Sequence, residues 1–422
     1  MKNFLFFSFV TLLLGLASCG SRPNASVSSP AVPVIDVEAA MADLQDGLKL
    51  SDFGSRVRYV PLETNDSCLV ALGPVKVWRD YILVGSRGVL YSFDREMGRF
   101  IAQVGHQGAD PKGYGNFTPY CNEYNGLLYF KRLPDRLQKY DVFGKYYGAA
   151  KVPVPPVMPQ SFLFLDSLVV GYHSAQAFLP VNGRLLSVFT EEGVLKDSVL
   201  RSESASVPFS ENPGGRVGIM KVSEMGVLSY SLYGDDANIT LAPFHPMWKC
   251  EERIRLKESF CDTIVTLEKD GRLSPSYVFH YGAWALDEKS RLAGRSRDKL
   301  TVFSVVETPG KIFFQAISDL FETVREKSSL VRFHLFNGIY DKKSGRVRMA
   351  PEKEGIVDDI TGGLPFRIQC VSSSDGAFVG VLDANEVVEW LEEHPEAKDN
   401  PRLAPLLKVK EEDNPVVVIV SQ

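Results

Sequence analysis

Residues 81–104 read YILVGSRGVLYSFDREMGRFIAQV. Tyr81 to Val84 is an apolar run of strand length, and Val89 to Phe93 is a second. Asp94 and Gly98 then turn the chain into Arg99 to Val104. Aspartate hydrogen-bonds the backbone of a tight turn, and glycine supplies its positive φ. The stretch therefore reads as a meander of short antiparallel strands.

The same grammar recurs along the chain, as internal repeats do. Leu127 to Lys131 and Leu137 to Tyr140 precede Asp141 and Gly144, which lead into Lys145 to Tyr147. Phe162 to Gly171 and Leu185 to Thr190 precede Glu192, Gly193 and a strand over Val194 to Leu200. Gly226 to Tyr233 and Thr263 to Leu267 precede Asp270 and Gly271. Leu300 to Val306, Ile312 to Phe314 and Leu330 to Leu335 lead to Ile339 and Tyr340, with Asp341 and Gly345 as the turn. Phe366 to Val371, Ala377 to Val381 and Pro415 to Val420 close the series. That makes about six units, although the irregular spacing also fits five or seven. Radial repetition of such units leaves only short, protected sheet edges. The expected fold is all-β, a six-bladed β-propeller, with a short helical insertion near the C-terminus. The insertion is Ala384 to His394, where Val387, Val388, Trp390 and Leu391 share one helical face opposite Glu386, Glu389, Glu392 and Glu393. A second short helix is expected over Leu403 to Val409, and Val34 to Leu50 suits either strand or helix.

The N-terminus points to export. Lys2 precedes an apolar run from Phe4 to Leu16, shorter than the roughly 20 residues of a membrane span and of the length of a signal-peptide core. Leu16, Ala17, Ser18 and Cys19 resemble the bacterial lipobox. In that setting the Cys19 thiolate is the nucleophile that takes up a diacylglyceryl group, and further acylation makes the anchor stable. The expected organisation is a signal peptide over 1–18, a lipidated cysteine and flexible Ser/Pro-rich tether over 19–33, and a propeller domain over 34–422. Arg22 stands where surface-exported lipoproteins carry acidic residues, which favours the periplasmic face of the outer membrane over the cell surface.

The 422 residues carry 47 basic and 52 acidic side chains, a net charge of −5. Nucleic-acid binders are usually basic, so no nucleic-acid partner is expected. Apart from Cys19 the cysteines are Cys68, Cys121, Cys250, Cys261 and Cys370, odd in number and without a CxxC, which disfavours a zinc ribbon or a thioredoxin motif. An exported chain is free to form disulfides, with Cys250 and Cys261 the closest pair. Buried free thiols are the alternative.

Several segments, taken in order, resemble the six-bladed β-propeller lipoproteins of the Bacteroides group, whose blades are similar to NHL repeats. They are Leu50 to Asp52 with Val57 to Thr64, Ser92 to Asp94 with Gly98 to Phe100, Phe260 to Ile264 with Leu273, Pro275 and Tyr277, Tyr340 to Gly345, and Glu412 to Val417. The resemblance implies the propeller fold and an envelope location, and it implies no defined activity. It departs at Gly105 to Tyr114, where such proteins carry a Gly-Pro-Gly-Glu-Tyr-like loop and this chain lacks the glutamate.

No HExxH, GxSxG or P-loop motif is present. The Gly105–Tyr114 loop is the best local candidate for ligand binding. His106 suits an acid, base or ligand near neutral pH, Asp110 would be its partner, and Tyr114 an aromatic platform. The plain alternative is a glycine-rich connector with Tyr114 packed on the next blade. No cofactor is required, although a divalent cation on the propeller axis is conceivable if Asp235 and Asp236, or Asp358 and Asp359, met ligands from other blades. Trp78, Trp248 and Trp284 would offer stacking surfaces if they escape the core. Two functions follow. One is a lipid-anchored, non-catalytic binding or scaffold protein for a peptide, a glycan or an envelope protein partner. The other is a metal-dependent lactonase- or lyase-like enzyme with its site on the axis.

Overall fold

The computed structural model describes residues 32–153, 158–174, 183–201, 216–233, 236–325 and 333–422. The leader, Cys19, the tether as far as Ala31, Asp235 and the expected strand residues Leu330 to Arg332 lie outside them. Among the described residues the strands form seven sheets. Five contain antiparallel meanders of four strands over 75–104, 120–151, 161–200, 247–280 and 300–351. A sixth joins Ile368–Val371, Phe378–Leu382 and Val416–Ser421 to Arg56–Pro61 from the start of the domain. The seventh is a three-stranded sheet over 216–243.

In each of the first six sheets the earliest strand after residue 75 lies at one edge. These edge strands meet around a common axis. Ser161–Leu165 touches both Tyr120–Asn122 and Met247–Cys250. Leu300–Glu307 touches Met247–Cys250 and Ile368–Val371, and the last touches Val75–Trp78. Lys76 Nζ donates to the carbonyl of Pro119 at 3.0 Å, bridging from that strand to the segment before Tyr120. The protein is an all-β propeller.

The unit expected over 226–271 is corrected. Gly226–Tyr233 belongs to the three-stranded sheet, which packs against Leu300–Glu307 and the helix Leu320–Arg325. Thr263–Leu267 instead pairs with Arg253–Leu256 and Leu273–His280. Between Met247–Cys250 and Arg253–Leu256 the turn is Glu251–Glu252, with φ of 50° and 61°. A two-residue turn with both φ positive normally carries Asn and Gly. Two glutamates hide it from a sequence reading.

The helix forms over Ala384–Glu393. Asp383 caps it by accepting from Asn385 N at 3.0 Å, and it buries Ala384, Val387 and Leu391. The second expected helix is instead two 3-10 turns, Pro401–Leu403 and Leu406–Lys408. Pro401 and Pro405 lack the amide protons that a continuous helix there would use. The entry segment is both elements in succession. Val34–Asp36 pairs in parallel with Val278–His280, and Asp36 then caps the helix Val37–Ala42.

Closure of the ring rests on Val416–Ser421. Val416, Val418 and Val420 pack with Phe53, Phe378 and the helix residues Val387 and Leu391. Val417 and Ile419, on the opposite face, pack with Val77, Ile82, Val84 and Phe93 of the first blade. Both faces are covered, so the strand reads as an unbroken apolar run rather than an alternation. Each such side chain contributes roughly 1.5–3 kcal/mol through burial. Just before it, the buried Asn414 accepts from Val70 N at 2.8 Å and donates to the carbonyls of Glu63 and Cys68, both at 2.6 Å. Every one of these partners lies in the N-terminal part of the domain. We predict that Asn414→Ala lowers the unfolding free energy by about 3 kcal/mol, because it strands several buried backbone groups. Urea denaturation checks this, and a loss below about 0.5 kcal/mol would refute a role for Asn414 in ring closure.

Candidate functional site

The Gly105–Tyr114 loop is a latch built on its own backbone. His106 Nε2 donates to Asp110 Oδ2 at 2.5 Å, and both side chains are about half exposed. Asp110 also accepts from the amides of Lys112 and Gly113, at 3.0 and 3.1 Å. The His106 hydrogen bond, followed by these amides, holds its carboxyl below the usual range. Arg132 and Gln138 reach the loop carbonyls of Ala109, Pro111 and Gly113. Tyr114 is a correction to the platform expectation. It is fully buried, stacks on Phe130 at 4.4 Å, donates to Val104 O at 2.9 Å and accepts from Leu90 N at 3.1 Å. Its hydroxyl and one ring face are taken up by the protein, and burial pushes its pKa up.

The paired acids diverge. Asp358 is buried and accepts from Tyr59 Oη at 2.5 Å and from the amides of Ile360 and Thr361. Asp359 turns the other way and accepts from Ser51 N at 2.9 Å and Ser51 Oγ at 2.6 Å. Each carboxylate is committed to loop structure. Among the described residues no three His, Cys, Asp or Glu side chains gather as a metal site. Cys68, Cys121, Cys250, Cys261 and Cys370 are all free thiols, and Cys250 is not bonded to Cys261.

The feature that draws on the edge strands of six sheets is a cavity of about 470 Å³ at the axis. Its wall takes Lys76 and Val77, Tyr120 and Cys121, Phe162 to Phe164, Met247 to Cys250, Val306 and Glu307, and Cys370 and Val371 from the six edge strands. That volume lies in the range of small-molecule sites. The mouth is formed by Glu123, Glu251, Glu252, Pro309 and Ser372 to Gly376. Its acids are mostly tied to side chains of the protein. Glu123 accepts from Trp78 Nε1 at 2.7 Å and Ser373 Oγ at 2.6 Å. Asp375 pairs with Arg95, and Glu252 with Lys249 at 2.7 Å.

On the wall, Glu307 is wholly buried and is met by three donors. Arg255 hydrogen-bonds it, Lys342 Nζ lies at 2.5 Å and Trp248 Nε1 at 2.7 Å. One carboxylate thus stands against two cations. Lys76 lies near His245, Cys121 and Cys370 and weights the charge on each. Burial, aided by Lys76, holds His245 neutral with its pKa down to about 3. Burial pushes the thiols of Cys121 and Cys370 up to about 12 and about 11, so both are protonated at neutral pH.

Sequence reasoning missed these residues, except Trp78 and Trp248, which it named as possible stacking surfaces. Trp78 proves buried beside the mouth, and Trp248 forms cavity wall. The edge strands Val75–Trp78, Tyr120–Asn122 and Met247–Cys250 are three or four residues long and mix polar with apolar side chains. They show no hairpin signal of their own.

Two predictions follow from this geometry. Glu307→Gln keeps the shape and leaves Arg255 and Lys342 without their counter-charge. It should cost about 3 kcal/mol in urea denaturation; a loss below 1 kcal/mol would mean the charge is dispensable. His245 and the buried His173, whose pKa is down to about 4, are neutral in the fold. An unfolded imidazole titrates near 6.5. The unfolded chain therefore binds more protons as pH drops, so stability is full above about pH 6.5 and declines toward pH 4. The slope should approach roughly 1.4 kcal/mol per pH unit for each histidine, and His173→Gln with His245→Gln should flatten it. An unchanged slope in the double variant would count against burial as the cause.

Comparison with known proteins agrees with this architecture. The family described as "Domain of unknown function (DUF4934)" matches residues 32–421. The crystal structure of a candidate exported protein of Bacteroides fragilis is similar over 92% of this chain and 98% of its own, with 16% identity and a TM-score of 0.61. A member of the DUF4221 family from Bacteroides vulgatus covers 87% of this chain and 96% of its own, at 8% identity and a TM-score of 0.46. No curated protein matches. The chain belongs to the DUF4934 family.

Proposed function

We propose that this family member is an exported, lipid-anchored six-bladed propeller that binds a ligand in its axial cavity without transforming it. The observation that carries the reading is the axial cavity itself. It is large enough for a small molecule or a peptide end, and the edge strands of six sheets contribute to its wall. Four of its five carboxylates, Glu123, Glu252, Glu307 and Asp375, are engaged by donors of the protein, and the fifth, Glu251, stands at the mouth away from the wall. A general base or metal ligand needs an oxygen free to face the substrate, whereas a recognition site needs shape and a few placed polar groups. The partner is a peptide, a glycan or an envelope protein presenting such an end. Cys19 is the lipid acceptor, and Arg22 beside it favours the periplasmic face of the outer membrane.

Cys19→Ser should abolish incorporation of labelled palmitate and move the protein out of the membrane fraction of cells. Continued labelling would remove Cys19 from its assigned role. A thermal-shift panel of glycans, peptides, lactones and divalent cations tests the cavity, because a ligand that binds the folded state alone raises the melting temperature. A glycan or peptide shift that Ser373→Trp at the mouth suppresses supports the reading. Stabilisation by a cation, reversed by chelator, would replace it with a metal-dependent hydrolase or lyase.

A further inference from the structure

The charges around the axial cavity do not cancel evenly. At the mouth, Glu123 faces Arg79 at 3.6 Å, Asp375 pairs with Arg95 and Glu252 with Lys249, each one acid to one base. On the wall, Glu307 offsets one of the two cations Arg255 and Lys342 and leaves one positive charge over. Lys76 adds another. It lines the cavity, donates one hydrogen bond to Pro119 O at 3.0 Å and makes no ion pair among the described residues.

The groups near Lys76 do nothing to neutralise it. Cys121 and Cys370 remain thiols, and His245 remains a neutral imidazole. An ammonium in a partly desolvated wall attracts a counter-charge much more strongly than one in water. Its three protons make it a donor to more than the single carbonyl it has. Beside Lys76 the wall presents apolar or aromatic side chains at Val77, Phe162, Phe164, Met247 and Trp248, while the charged Lys249 and Glu307 on it are already paired. Glu251 at the mouth adds negative charge, which opposes polyanions but tolerates a ligand with one negative group carried deep into the cavity.

From this we propose that the axial cavity binds a small organic carboxylate, its anionic group on Lys76 and its apolar body against the aromatic wall. The proposal rests on the ligand-binding reading of the cavity and names the chemical class of the ligand.

The test is calorimetric titration of the purified protein with four probes that share a phenyl body: phenylacetate, N-acetylphenylalanine, phenylacetamide and phenethylamine. N-acetylphenylalanine presents its carboxylate as a peptide end does, so its affinity relative to phenylacetate separates a peptide C-terminus from a free acid. At least one of the two acids should bind roughly tenfold or more tightly than the amide, the scale of a charge-assisted hydrogen bond. Lys76→Met should erase that preference, and Lys76→Arg should keep it. The acid-against-amide comparison in the unaltered protein needs no variant, so it stands even if Lys76→Met fails to fold. Equal binding of acid and amide, preference for the amine, no binding of either acid, or a preference that survives Lys76→Met would each overturn the proposal. Ser373→Trp separates the two levels. Amide or amine binding that it blocks leaves the cavity as a binding site and removes only the carboxylate. Acid binding that it leaves untouched places the site elsewhere, and both readings fall.

Discussion

The antiparallel pairing of Arg56–Pro61 with Val416–Ser421 is the contact on which the ring depends. A propeller blade needs neighbours on both sides to cover its two faces, so an open ring would expose the faces of its first and last blades. Here the last sheet takes its outer strand from the beginning of the domain, which ties the two ends together within one hydrogen-bonded ladder. The loop closed in this way is almost the whole domain. Its entropy cost grows only slowly with length, while the gain includes five consecutive buried aliphatic residues, Val416 to Val420. Asn414 reinforces the same junction with hydrogen bonds to Glu63, Cys68 and Val70. Contacts of such long range are slow to form, so ring closure is expected late in folding.

Once the ring is closed, its geometry creates the axis. Six short strands cannot pack their side chains to a point, and the space left between them is the cavity. Buried charge on such a wall is costly unless paired. Glu307 meets this constraint with Arg255, Lys342 and Trp248, and Tyr277 lies beneath both cations, 5.3 Å from Arg255 and 5.8 Å from Lys342. The turn at Glu251–Glu252 is a second place where ordinary local preference is set aside. Two non-glycine residues hold positive φ at the mouth, a conformation that costs free energy and persists when surrounding contacts over-determine it. Lys249, pairing with Glu252 and lying over the Tyr124 ring at 4.7 Å, supplies part of that determination.

The Asp-x-Gly hairpins, the closing apolar run and the helix at Ala384–Glu393 were legible because each is a local matter. An aspartate that accepts from amides two and three residues on, as Asp94 and Asp341 do, acts the same way in any fold. The loop at Gly105–Tyr114 shows where local reading stops. His106 and Asp110 do pair, as their spacing allowed. Nothing local distinguishes a pair that meets a ligand from one that braces a loop, and the bracing is evident only from Arg132, Gln138 and Phe130 in the next blade.

By itself, then, the chain's order of residues determined that this is an all-β protein of repeated meanders, with a helical insertion before its last strand. Those features follow from side-chain periodicity and turn chemistry, which act over a few residues. The extra three-stranded sheet, the axial cavity and the imbalance of charge around Lys76 were decided only by tertiary structure. Lys76, Cys121, His245, Glu307 and Cys370 are scattered along the chain, and each is unremarkable among its own neighbours. They face one space because six edge strands converge on one axis, and that convergence depends on the joining of the domain's two ends.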